Sequence, residues 1–116
     1  MAYRLVRSRK SIRDLDAIFD HLIESYVNLG DAPVDAASRA ASRIWAIRTS
    51  MNAIAAAPHQ GTRVEKIAAG LRCVTKERAI FYFKVDDEAK VVRILAIFFS
   101  GQDHQRHILR RLGIDL

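Results

Sequence analysis

The hydrophobic period changes in the middle of this chain, and that change constrains the fold more than any other feature. From about residue 12 to residue 57 the apolar residues recur every three to four positions, and over residues 71–99 they recur every two. The first pattern buries one stripe of a helix and the second buries one face of a strand. Within the first part, Ile12, Leu15, Ile18, Phe19, Leu22, Ile23, Tyr26 and Val27 trace one helical face. Ser8 is placed to cap that helix, Ser11 with Asp14 has capping-box spacing one turn later, and Gly30 falls where a C′ residue needs positive φ. Asp31-Ala32-Pro33 then signals a second helix start, and Pro58 its end. Residues 37, 41, 44, 47, 51 and 54 form its predicted stripe, in which Ala37 and Ala41 would let a neighbouring helix approach closely. Trp45 lies beside that stripe, at an edge. With so short a connection the two helices should pack antiparallel.

The remaining signals are strands. Tyr3, Leu5 and Arg7 alternate with Arg4 and Val6 and predict an opening strand over 3–7. Leu71, Cys73 and Thr75 predict another, residues 79–85 a third and residues 91–99 a fourth, with 86–90 as a polar turn. The last strand is apolar on both alternations at its far end, as a central strand would be. Ser100 or Asp103 could cap a short final helix ending at Gly113. The expected order is β-α-α-β-β-β, an α+β fold with a helical hairpin on one face of a mostly antiparallel sheet and a short C-terminal helix.

Composition excludes several classes. The chain has 116 residues, enough for one domain over residues 1–116 and too few for a multidomain enzyme. A single cysteine cannot form an internal disulfide, and no apolar run reaches the ~18 residues that a membrane span needs. The N-terminus carries no export signal, so the chain reads as a reduced, cytoplasmic domain. Its net charge of +6 favours an acidic partner, nucleic acid or protein, although spread-out charge also serves solubility alone.

Candidate chemistry is sparse. His104 and His107 supply two of the ligands that a metal would need, so no metal and no cofactor is expected. Cys73 reads as an inert buried thiol, and Asp86-Asp87-Glu88 as solvated turn residues. Arg72, Lys76, Arg78 and Arg93 lie on or between the C-terminal strands. If Arg72, Lys76 and Arg93 share the open sheet face, they form a positive surface able to hold a phosphodiester, with His104 as an acid or base.

At this point the residues resemble a family. Asp14-Leu15-x-x-Ile18, Pro58-x-x-Gly61, Gly70-Leu71-Arg72, Ile80-Phe81-Tyr82, Val92-Arg93-Ile94-Leu95 and Gly101-Gln102-Asp103 occur in that order. The ordered set resembles the ParE/RelE superfamily of type II toxin–antitoxin toxins, often called plasmid stabilisation proteins, over roughly residues 3 to 110. The resemblance implies one of two activities. RelE-like members cut messenger RNA on the ribosome with several Lys/Arg residues and a C-terminal tyrosine. ParE-like members lack that set and inhibit DNA gyrase by binding.

This chain has no tyrosine after Tyr82, with Ile108 about where the RelE-type tyrosine is expected, and Gln102-Asp103 stands where a nuclease favours basic residues. Phe99 replaces the histidine of the ParE-type ending, whereas Arg72 matches a recurrent superfamily arginine. The resemblance therefore favours a ParE-like, non-enzymatic toxin, with Arg72, Phe99 and Asp103 as target-binding candidates. It implies a cognate antitoxin whose flexible segment folds on the helical hairpin, anchored by Tyr26 and Trp45. No small-molecule substrate is expected. A metal-free endoribonuclease using Arg72, Lys76, Arg78, Arg93 and His104, with ribosome and messenger RNA as partners, is the alternative; a non-toxic basic binding module is the third.

Overall fold

The computed structural model describes residues 2–99 and 104–112, with side chains at 2–99 and 108–112. The element order is β1 (Arg4–Arg7), α1 (Arg9–Asn28), α2 (Pro33–Ala56), β2 (Thr62–Arg63), β3 (Leu71–Lys76), β4 (Ala79–Asp86), β5 (Val91–Phe99) and α3 (His104–Arg111). The α+β architecture is the expected one. The sheet has five strands in the order β1-β5-β4-β3-β2. β1 runs parallel to β5 and the remaining neighbours are antiparallel. The two-residue β2 is an addition to the sequence reading, being too short to show a period.

Local chemistry sets the helix ends. The Ser8 hydroxyl accepts the Ser11 N–H at 3.1 Å, closing the first turn of α1. At the other end Gly30 N–H donates to the Val27 carbonyl and Asp31 N–H to the Tyr26 carbonyl, a Schellman arrangement with Gly30 at φ 110°. α2 starts with Pro33 at its first position, and its last carbonyls accept bonds from the Gln60 side chain at 3.0 and 2.8 Å. The buried residues of α2 are Ala36, Ala40, Ile47, Met51 and Ile54. The close-approach alanines are thus one position N-terminal to the expected Ala37 and Ala41. Four alanines at 36, 37, 40 and 41 carry no phase of their own. The larger Ile47, Met51 and Ile54 choose the stripe, and counting back from Ile47 by helical steps reaches 40 and 36.

The sheet separates two cores. On one face Phe81, Phe83, Val92, Ile94 and Ile97 pack with Leu15, Ile18, Leu22, Ile47, Met51 and Ile54 of the helical hairpin. On the other, here the back face, Leu71, Tyr82, Ala96 and Phe98 pack beneath Ile108 of α3, with Val64, Ile67 and Leu112 alongside. A β-bulge in β5 makes this division. Phe83 pairs with Ile94 and Tyr82 with Ala96, so Leu95 is the extra residue. Alternation before the bulge sends Val92 and Ile94 to the hairpin face; after it, Ile97 goes there. This is why β5 reads as apolar on both alternations.

Candidate interaction surfaces

The bulge is also where three elements are tied together. Asp14 of α1 accepts the Ile97 N–H at 2.9 Å and forms a two-pronged ion pair with Arg111 of α3, at 2.8 and 3.0 Å. Arg111 also donates to the Leu95 carbonyl at 3.1 Å. Asp14 therefore does not complete a capping box. Its carboxylate reaches the sheet where β1 has ended: the β1–β5 pairing stops at Arg7 opposite Ile94, so that side of β5 has no strand beside it at Ile97. Nothing at residue 14 signals this role, since its partners are 83 and 97 positions away.

The basic candidates do not converge. Pairing places Arg72 opposite Phe83 and Lys76 opposite Ala79, both on the hairpin face, whereas Arg93 pairs with Lys84 on the back face. The expected shared positive surface of Arg72, Lys76 and Arg93 is therefore not formed. Strand alternation counted without the partners' register cannot assign a face. The Arg72 guanidinium instead donates to the carbonyls of His59 at 2.9 Å and Gln60 at 3.4 Å, holding the segment after α2. Arg78 sits at the β3–β4 turn, where Glu77 (φ 53°) and Arg78 (φ 62°) both adopt the left-handed conformation. Arg43 of α2 supports that turn by donating to the Glu77 carbonyl at 2.9 Å. Asp103 and the His104 side chain lie outside the described residues.

The helical hairpin carries the exposed apolar surface. Trp45 is 73% exposed, and Val34 and Leu29 are each 80% exposed. Tyr26 is half-buried, packed on the core, with the Arg39 guanidinium 4.0 Å above its ring and Asp31 holding that arginine at 2.6 Å. A cavity of about 140 Å³ lies between the helices and β1, lined by Ile12, Leu15, Phe19, Ile44, Arg7 and Arg48. Phe99, at the end of β5, packs partly on the hairpin core with the His21 ring 6.4 Å away.

One polar cluster has no local signature in the sequence. Asp87 accepts from the Tyr3 hydroxyl at 2.5 Å and pairs with His59 Nε2 at 2.8 Å, while the Lys90 ammonium lies 5.1 Å from the Tyr3 ring centre. The hydrogen bond from Tyr3, then that from His59, holds the Asp87 carboxyl below its usual range. The same bond raises Tyr3 above the ordinary phenol value. Asp87 is thus more than a solvated turn residue, and it clasps β1, the segment after α2 and the β4–β5 turn. On the back face, burial pushes the Cys73 thiol up, the expected direction for an inert cysteine. Among the described residues no three His, Cys, Asp or Glu side chains converge as metal ligands, and no helix is long and apolar enough to cross a membrane.

This geometry has known counterparts. The chain superposes on a chain of the chromosomal ParDE toxin–antitoxin system from P. aeruginosa with a TM-score of 0.64 and 27% identity, covering 85% of this chain and 97% of that one. The chain is similar to the toxins of the ParE/RelE superfamily. Two further superfamily structures share the fold. One is the RelBE2 toxin–antitoxin complex from Mycobacterium tuberculosis, at 16% identity and TM-score 0.52 over 88% of this chain and 95% of that one. The other is an arginine-to-alanine mutant of E. coli toxin RelE in the free state, at 10% identity and TM-score 0.59 over 97% of this chain and 98% of that one. No protein-family model matches the sequence, and no curated protein matches it. Within the ParE/RelE framework, Ile108, about where the RelE-type tyrosine is expected, is fully buried under the sheet.

Proposed function

We propose that this chain is the toxin of a type II toxin–antitoxin pair, of the ParE-like branch, acting on DNA gyrase by binding and neutralised by a cognate antitoxin. The buried Ile108 carries this reading. A metal-free nuclease needs a proton-transfer group and converging cations at the scissile phosphate. Here the side chain about where the resemblance implies the tyrosine is the aliphatic Ile108, which faces the core, and Arg72 and Lys76 lie on the opposite sheet face from Arg93. The likeness to the ParDE structure supports the same branch. Arg72, Phe99 and Asp103 are the proposed target-binding residues. Tyr26 and Trp45 are the proposed antitoxin anchors: a large aromatic 73% exposed on α2 suits a partner helix laid along the hairpin.

Controlled expression with simultaneous readout of supercoiling and transcript integrity tests the reading. Loss of gyrase supercoiling with intact transcripts is expected. Rapid transcript cleavage abolished by Arg72→Ala would establish the RelE-like nuclease instead, and unimpaired growth would leave a non-toxic basic module.

A further inference from the structure

The back face of the sheet is only half covered. Val64, Ile67, Ile108 and Leu112 pack over Leu71, Tyr82, Ala96 and Phe98. Toward the β4–β5 turn the same face carries a different pattern. Lys84 of β4 stands directly opposite Arg93 of β5, and β1 pairs beside them with Val6 against Arg93 and Arg4 against Val91. Since Tyr3 and Leu5 pack on the hairpin core, alternation puts Arg4 and Val6 on the back face with Lys84 and Arg93. Strands lie about 4.8 Å apart and rise about 3.3 Å per residue, so the backbone positions of the three cations on β1, β5 and β4 fall within about 12 Å of one another.

Like charges directly opposite on a sheet repel and cost stability. Among the described residues none of the three has a carboxylate within ion-pairing distance; the ion pairs there are Arg39–Asp31, Arg43–Glu77, His59–Asp87 and Arg111–Asp14. Asp86 shares the face, but its carboxylate accepts the Ala89 N–H of the turn at 3.0 Å and pairs with neither Lys84 nor Arg93.

We propose that Arg4, Lys84 and Arg93 form a binding site for a phosphodiester backbone. The surroundings favour this ligand over an acidic protein segment. A peptide needs apolar or aromatic anchors for affinity, and the apolar half of this face is already covered by α3 and the 64–68 segment. What stays open is three cations around one small, half-buried side chain, Val6, and charge of this kind is what sequence-independent contact with nucleic acid requires. The site lies apart from Tyr26 and Trp45 on the helices, and it does not depend on the gyrase reading.

The test is fluorescence anisotropy of the full chain with three labelled probes: a duplex DNA, a single-stranded RNA of the same length, and polyglutamate. Lys84→Gln/Arg93→Gln is expected to weaken binding of the nucleic acids about tenfold or more at low salt. It should also lower the slope of log affinity against log salt by about 2 for duplex DNA, one unit per lost phosphate contact. Arg13→Gln, which removes an exposed cation of α1, should leave both within twofold. Thermal melting controls for folding, and the double variant is expected to melt no lower than the parent in low salt because the opposed charges are gone. Comparing duplex with RNA identifies the natural source of the backbone. Nucleic-acid binding that is absent, or unchanged by the double substitution, overturns the proposal. So does polyglutamate binding that equals nucleic-acid binding and is lost in the variant.

Discussion

Replacing Asp14 with alanine removes, in one step, the acceptor of the Ile97 N–H and the partner of Arg111. The two losses can be weighed separately. A backbone donor left without its partner in the interior costs about 1–3 kcal/mol. The ion pair is partly shielded, with 14% of the Asp14 and 20% of the Arg111 side chain exposed, so it sits above the ~0–1 kcal/mol of surface pairs and below fully buried ones. Together they predict a loss of about 3 kcal/mol, or a fall in Tm on the order of 10 °C for a domain this size. Asp14→Asn keeps an oxygen for Ile97 and gives up the charge, so it should cost about 1 kcal/mol. Arg111→Met keeps the Asp14–Ile97 bond and should cost a similar ~1 kcal/mol. Urea unfolding followed by circular dichroism measures all three. If Asp14→Ala costs under ~1 kcal/mol, or Asn is as damaging as Ala, the carboxylate is not what joins α1 to the bulge.

Gly61 has φ 81°, and a Cβ there would lie 2.5 Å from the Cys73 carbonyl oxygen; Gly61→Ala should cost about 2 kcal/mol or more in the same assay. The Tyr3–Asp87 clasp predicts a pH window. Asp87 is held low when folded, so its contribution is present above the unfolded carboxylate value and lost as pH falls through the lower folded value. Tyr3 is held high, so its contribution is present below the phenol value and lost as pH rises through the folded one. The stability difference between parent and Tyr3→Phe should be flat from about pH 5 to 9 and shrink on both sides, and a difference that grows toward pH 3 would contradict this. Trp45→Ala should leave stability within about 0.5 kcal/mol, since the ring is 73% exposed, while weakening antitoxin binding at least tenfold by calorimetry.

What was legible before the structure was whatever short-range chemistry encodes. The Ser8 cap, the Gly30 stop and the Pro58 break depend on neighbours within four residues, and all three stand where the residue types put them. The apolar stripe of α1 was equally plain, because its large residues fix the phase. The stripe of α2 has no phase of its own where alanines fill adjacent positions, and β2 has no sequence signal because two residues have no period. Around the candidate surfaces, Asp14, Asp87 and Lys84 gave no local sign of their partners.

The amino-acid pattern by itself determined the inventory: two amphipathic helices, then strands, in an order that leaves few ways to bury both stripes. Only the tertiary structure decided which side chains meet. One extra residue at Leu95 exchanges the faces of everything after it in β5, and pairing register sends Arg72 and Arg93 to opposite sides of one sheet. A period of two names alternate residues but not the face each set occupies. That assignment comes from partners far along the chain, and with it the difference between a gathered positive site and a divided one.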